Sequence, residues 1–242
     1  MRAPVRRAVI LAAGRGARLG TLTARTPKVL LEVGGEPMVH RILRALAEGG
    51  VSDVAVVTGH LADMVEERTG DGARWGLSVV YFRQFELDGT ARALALARAF
   101  VGEERFFLGW GNIVVDVANY PRVLSEANRA DAVLAVNEVE DPSSGGAVYV
   151  DGALRVTRLV EKPPPGTSAT RWNNAGLMVL LPAIWPFVDA LAPSTRGEYE
   201  LPQAIANAID GGMETTAVPV EGPWFDAGTP ESLEAARARF GG

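Results

Sequence analysis

Apolar residues fall along this chain in short runs separated by polar turns. Runs rich in β-branched residues lie at Val5–Leu11, Val54–Val57, Leu77–Phe82, Phe106–Leu108 and Ala132–Val136, each of strand length. Between them, Met38–Gly49 and Thr90–Phe100 set apolar positions on one helical face. Strand–helix alternation through the first half predicts an α/β fold with a mostly parallel sheet wrapped on both sides. After Asp131 the pattern shifts to strands with tighter turns. Ala147–Val150 and Arg155–Val160 flank Asp151-Gly152, a hairpin signal. The segment 163–168, Pro-Pro-Pro-Gly-Thr-Ser, reads as the most flexible loop. No linker is long enough to separate independent units, so a single domain over 1–242 is expected, with a β-rich subregion from about residue 131.

Composition narrows the chemistry. There are no cysteines, which removes disulfides, thiolate metal sites and cysteine nucleophiles. His40 and His60 are the only histidines, so any metal is held by oxygen ligands, which points to magnesium or manganese. A net charge of −5 without a Lys/Arg run argues against nucleic acid as partner. Arg2, Arg6 and Arg7 precede an apolar run of about six residues, short of the ~7–15 of a signal core. Leu177–Val188 is interrupted by Pro182 and Pro186, so a spanning helix is not expected there. These features read as cytoplasmic, with no membrane partner.

The candidate chemistry starts at Leu11-Ala12-Ala13-Gly14-Arg15-Gly16-Ala17-Arg18-Leu19, with Pro27-Lys28 behind it. A strand here delivers a glycine turn that carries cations. Glycines let backbone N–H groups approach phosphate oxygens, and a following helix start would add a favourable dipole. The dinucleotide fingerprint fails because Leu19 stands where a third glycine belongs, and no Gly-Lys-Ser/Thr completes a P-loop. Taken alone, this loop is equally an ordinary β–α turn with solvated charges.

Further motifs come in order along the chain. They are Pro27-Lys28-x-Leu30-Leu31-x-Val33-x-Gly35-x-Pro37, then Gln84 with Asp88-Gly89-Thr90-Ala91, Gly145-Gly146, Glu161-Lys162-Pro163 and Asn174-Ala175-Gly176. Gly197-Glu198-Tyr199-Glu200-Leu201 and Trp224-Phe225-Asp226-Ala227-Gly228-Thr229-Pro230-Glu231 close the series. Together with the opening loop, this resembles the sugar-1-phosphate nucleotidylyltransferases, the enzymes that make NDP-sugars, and most closely their short uridylyl/thymidylyl type. The resemblance covers nearly the whole chain. It implies a Rossmann-like sheet with a nucleotide-binding half (about 1–130) and a sugar-phosphate-binding half (about 131–242).

The same resemblance implies roles. Arg18, Lys28 and Lys162 are the catalytic cations, the first two on the triphosphate and the third on the acceptor phosphate. Leu11, Ala12, Ala13, Gly14, Gly16, Gln84, Gly89 and Thr90 hold the nucleotide, Gln84 pairing with the base and Gly89 leaving room for a backbone contact to it. Gly146, Glu161 and Asn174 contact the sugar, although Asn173 is an equal choice on local sequence. Asp226 is the metal ligand for Mg2+. The partners implied are an NTP, UTP or dTTP ahead of others, and a sugar 1-phosphate; self-association into a homo-oligomer is compatible. Trp110, Trp172, Trp224 and His40 are expected to pack rather than bind.

One motif departs. The family carries a metal-binding Asp in a Gly-Asp-Asn-type turn after the strand at Phe106–Leu108, where this chain reads Gly109-Trp110-Gly111-Asn112. Gly111 is therefore read as the missing carboxylate. Asp116 could replace it only if the chain turns back, and Asn112 offers a neutral oxygen. Two functions stay open: a working transferase, or a nucleotide-sugar-binding protein with weak catalysis or none.

Overall fold

The computed structural model describes residues 4–241. Its strands are β1 (Arg7–Leu11), β2 (Glu32–Val33), β3 (Glu36–Pro37), β4 (Asp53–Thr58), β5 (Ser78–Arg83), β6 (Phe106–Trp110), β7 (Ile113–Val115), β8 (Ala132–Glu138), β9 (Gly146–Val150), β10 (Val156–Glu161), β11 (Trp172–Leu180), β12 (Thr215–Pro219) and β13 (Trp224–Asp226). Its α-helices are α1 (Met38–Glu48), α2 (Ala62–Thr69), α3 (Thr90–Leu96), α4 (Arg98–Val101), α5 (Asn119–Ser125), α6 (Trp185–Asp189), α7 (Leu201–Asp210) and α8 (Pro230–Phe240).

A nine-stranded sheet forms the centre, running β5-β4-β1-β6-β11, with β8 and then β12 beyond β11. β1 pairs in parallel with β4 and β6, and β4 with β5. The sheet turns antiparallel where β11 joins β6. A parallel strand is buried on both faces, so its sequence reads as a continuous apolar run, and β1 illustrates this. Ala8 and Ile10 enter the cluster under α1 and α5, while Val9 and Leu11 enter the one under α3 and α7. The hairpin β9–β10 hangs from the first part of β11, meeting it at Asn173↔Ala147. A third cluster lies under α8, where Leu233 and Ala236 meet Leu19, Val33, Met38 and Val114.

Three details differ from the sequence reading. The helix expected over Thr90–Phe100 breaks at Ala97, whose N–H turns to the Leu94 carbonyl, tightening the helix into a new start. The β9–β10 connection is wider than an Asp-Gly turn, because the Asp151 carboxylate accepts N–H bonds from Ala153 and Arg155 at 2.9 Å each. Leu154, not Gly152, then takes the left-handed position at φ 60°. The third is the antiparallel ribbon β7–β13, which lacks a distinct apolar signal yet pairs Ile113 with Asp226. Leu177–Val188 does divide at its prolines, into the end of β11, a turn and α6. Among the described residues no helix is long and apolar enough to cross a membrane.

His40 packs as expected. It is buried, its Nε2 lies 2.9 Å from an Arg74 guanidinium nitrogen, and its ring meets Trp75. Burial first, and the Arg74 charge second, push its pKa down to about 4. The ring is neutral at pH 7 and accepts that hydrogen bond.

Candidate active site

Parallel strands end on one side, and the loops that leave them define a crevice there. β1 runs on into residues 12–16: Ala12 N–H donates to Val57 O at 2.8 Å, and Ala13 O accepts from His60 N–H at 3.1 Å. The turn depends on Gly16, at φ 67° with no space for a side chain between Thr23 and Lys28, whereas Gly14 faces open space. The chain then enters a 3₁₀ segment, Ala17–Thr23, interrupted at Gly20. The helix start that the sequence suggested is thus a short, kinked 3₁₀ segment rather than an α-helix, and the loop has chiefly its main-chain N–H groups and cations to offer an anion.

Two clefts open along this edge. One, of about 630 Å3, is lined by Leu11, Ala12, Ala13, Gly14, Gly16, Gln84, Gly89 and Thr90. The other, of about 610 Å3, is lined by Arg18, Gly146, Glu161, Lys162, Asn174 and Asp226. Lys28, Thr90, Trp110, Asn112 and Glu198 border both. The residues selected from sequence thus come together around a shared seam. Lys28 lies at that seam, and burial lowers its ammonium pKa against an opposing pull from Asp226.

In the first cleft Gln84 continues β5, its N–H donating to Thr58 O at 2.8 Å, and it is almost fully buried. Gly89 lines the same cleft. A Cβ there would sit 2.4 Å from the Tyr199 carbonyl oxygen, with φ at 123°. The close approach of residue 199 by itself requires glycine at this position.

The second cleft is assembled from charged side chains. Glu161 ends β10, and Lys162 follows in the left-handed region at φ 44°, held by its N–H on Gly145 O at 2.7 Å. A lysine in that region stores strain of about 1–2 kcal/mol, here to aim its side chain at the cleft. Lys162 Nζ lies 3.5 Å from Glu161 Oε1. Burial pushes the Glu161 carboxyl up, Lys162 opposes, and Glu200 adds to the rise. Gly146, opposite Glu161 in the ladder, is tight against Asn174 and Leu159. Asn173 and Asn174 separate clearly. Asn173 is buried and donates to Asn137 Oδ1 and Asn174 O, and its oxygen fills the space beside Gly145. Asn174 uses only its oxygen, on Gly176 N–H at 3.0 Å, which leaves its amide donors to the cleft.

At Gly111, where the resemblance puts the missing carboxylate, the surroundings are tight. A Cβ on Gly111 would meet Val29 Cγ1 at 2.8 Å and Leu11 O at 3.1 Å, so the position points into packed core. Its N–H extends the strand pairing to Leu11 O. The residue that faces Asp226 is Asn112, whose amide hydrogen-bonds the Asp226 carboxylate. Asp116 is no substitute: it lies past the far end of the β7–β13 ribbon, and its carboxylate caps Ala118 N–H. Among the described residues no three His, Cys, Asp or Glu gather around one point. Asp226 and the Asn112 oxygen fit a magnesium site completed by substrate phosphates, since Mg2+ is usually bound by one or two carboxylates plus phosphate. Arg18 stands 3.9 Å from Asp226.

Sequence reasoning assigned no role to Arg196, Glu198 or Glu200, which also line the second cleft. Arg196 ion-pairs with Glu200. Their signal was the dense alternation of charge around Gly197. Trp110, expected to pack, does pack against both main clusters, and it also borders both clefts. Trp224 is tied to Ala175 O through Nε1 at 2.9 Å.

Comparison with known proteins meets this geometry. The nucleotidyl transferase family matches residues 7–240, and the chain belongs to that family. A glucose-1-phosphate thymidylyltransferase from Streptomyces antibioticus is 34% identical over 96% of this chain, which spans 65% of that relative's length. The UTP–glucose-1-phosphate uridylyltransferase AglF of Haloferax volcanii is 32% identical over 96% of both chains. In solved structures, a putative glucose-1-phosphate thymidylyltransferase from Bacillus anthracis superposes with a TM-score of 0.87 at 29% identity, covering 97% of this chain and 95% of that one.

Proposed function

We propose that the protein transfers a nucleotidyl group, UMP or dTMP, from an NTP to a sugar 1-phosphate, giving an NDP-sugar and pyrophosphate. The observation that carries this reading is the seam: a main-chain loop suited to phosphates and a charged cleft suited to a sugar phosphate meet at Lys28 and Asn112. The chain acts as a single nucleotidyltransferase domain, the NTP on the half before about residue 130 and the acceptor largely on the half after it.

The acceptor's phosphate oxygen attacks the α-phosphorus in line. A new P–O bond forms as the bond to the bridging α–β oxygen breaks, and its electrons leave with pyrophosphate. Such a reaction needs alignment and charge neutralisation rather than a covalent enzyme intermediate. Arg18 and Lys28 hold the triphosphate and stabilise the departing charge. Lys162 binds the acceptor phosphate and points its oxygen. Glu161, Asn174 and the Gly146 backbone bind sugar hydroxyls, and the loop from Leu11 to Gly16, with Gln84, Gly89 and Thr90, holds the nucleotide. Asp226 and Asn112 would hold the divalent cation, which when bound supplies charge to the phosphates.

The Asn112–Asp226 pair supports a second reading, a binding protein with weak catalysis. Pyrophosphate release decides between them, measured with Mg2+ across UTP, dTTP, CTP, ATP and GTP against glucose 1-phosphate and amino-sugar 1-phosphates. Turnover with one pair is expected. Silence with every pair, despite measurable nucleotide binding, establishes the binding protein.

A further inference from the structure

The Gln84 side chain sits in the nucleotide cleft with both amide hydrogens spent. Its Nε2 donates to Asp88 Oδ1 at 3.1 Å and to the Gly89 carbonyl at 3.0 Å. Both partners are acceptors only: Asp88 is a carboxylate and Gly89 offers a carbonyl. Turning the amide over would set Oε1 against two oxygens, so chemistry alone fixes the orientation. The side-chain oxygen, by contrast, has no donor among the described residues.

The two acceptors are themselves fixed. Tyr199 N–H donates to Asp88 O at 2.7 Å, and Ala91 N–H to Tyr199 O at 2.9 Å. Leu201 N–H donates to Thr90 Oγ1 at 2.9 Å. Gly89 lies against the Tyr199 backbone with no space for a Cβ. The turn therefore cannot drift to release the amide.

We propose that Asp88 is a positioning residue that locks the Gln84 amide with its oxygen toward the base, so that the site accepts pyrimidines carrying an N3–H and rejects cytosine. This rests on the proposed placement of the nucleotide beside Gln84. Uracil and thymine present N3–H, a donor that Gln84 Oε1 receives. Cytosine presents a bare N3 acceptor, which would face that oxygen with no proton between them. Nearly isosteric bases are thus separated by one hydrogen bond in a buried setting, where leaving polar groups unpaired is costly.

The test is calorimetry of UDP, dTDP, CDP and N3-methyl-UDP, together with kcat/KM for UTP and CTP, in the wild type, Asp88→Asn and Asp88→Ala. For the wild type, UDP or dTDP should bind about 100-fold more tightly than CDP or N3-methyl-UDP. Asp88→Ala should bring UDP and CDP at least about tenfold closer, by weakening UDP and admitting CDP through the loosened amide, and Asp88→Asn, whose side-chain oxygen can still accept from Gln84, should retain more of the discrimination than Asp88→Ala. A wild type that binds CDP as well as UDP overturns the placement of the base itself. A wild type that discriminates, with a folded Asp88→Ala that keeps the ratio, overturns the role of Asp88 and leaves the placement standing. Should neither variant fold, N3-methyl-UDP still decides in the wild type: unimpaired binding would mean Oε1 does not face N3.

Discussion

The two clefts are built from different materials. The nucleotide cleft is main chain at the ends of β1 and β5, shaped by Gly16 and Gly89 at positive φ in tight surroundings, with a buried amide as its polar group. Apart from Arg15, Lys28 and Glu198 its lining is uncharged. The acceptor cleft is a set of charged side chains that pair with one another: Lys162 with Glu161, Arg196 with Glu200, Arg18 with Asp226. Partly exposed pairs of this kind are worth about 0–1 kcal/mol, so an incoming phosphate or metal can displace them at little cost. On the proposed reading, the nucleotide cleft takes its shape from backbone and its base choice from one held side-chain amide, while acceptor choice and metal affinity would sit in loosely paired charged groups.

The largest expected effect tests that division directly. Lys162→Ala should lower kcat/KM for the sugar 1-phosphate by about 10²–10³-fold, as for loss of one charged donor to a transition-state oxyanion. UDP affinity by calorimetry should stay within about twofold, because the two clefts contribute separately. Equal loss on both sides would mean that the clefts form one coupled unit.

A second variant pair breaks the comparison at its seam. Asn112→Asp places a second carboxylate beside Asp226 and should tighten Mn2+ binding to the nucleotide-free protein on the order of tenfold, read by electron paramagnetic resonance. Gly111→Asp should leave that affinity unchanged and cost about 1–3 kcal/mol by overpacking against Val29. At this size, that is a melting temperature lower by about 2–4 °C per kcal/mol. The reverse pattern would return the missing carboxylate to position 111.

Legibility in the sequence divides along the same line. Continuous apolar runs such as Ala8–Leu11 are legible because burial on both faces leaves no polar positions, and motif glycines are legible because backbone geometry demands them. The facing of Asn112 on Asp226 was not. It depends on the register of β7 against β13, two three-residue strands about 110 positions apart whose pairing no local pattern encodes. The motif pointed to Asn174 while local sequence left Asn173 its equal; both line the acceptor cleft, and only the fold shows that Asn173 spends its amide on Asn137 and the Asn174 carbonyl. Arg196 and Glu200 were visible as charges, but their ion pair belongs to the folded loop.

The smallest effect concerns Glu161, where the acceptor cleft should respond to pH and the nucleotide cleft should not. Because burial raises its pKa, Glu161 takes up a proton on acidification earlier than an exposed glutamate would. The protonated form is a poorer acceptor for sugar hydroxyls. The sugar 1-phosphate KM should accordingly rise about fivefold as acidification protonates Glu161, the worth of roughly one hydrogen bond, with UDP affinity following only the nucleotide's own ionisation. In Glu161→Gln the enzyme's share of that rise should vanish. Stability should move the opposite way. A carboxyl whose folded pKa is raised adds stability that is fully present below its unfolded pKa and is lost as pH rises through the folded value. The ionised state that binds sugar is thus the less stable one, and Glu161→Gln should melt progressively higher than the wild type as pH increases. A melting difference that is flat with pH would mean that Glu161 is ordinary in its ionisation and that the acceptor cleft is no more titratable than the nucleotide cleft.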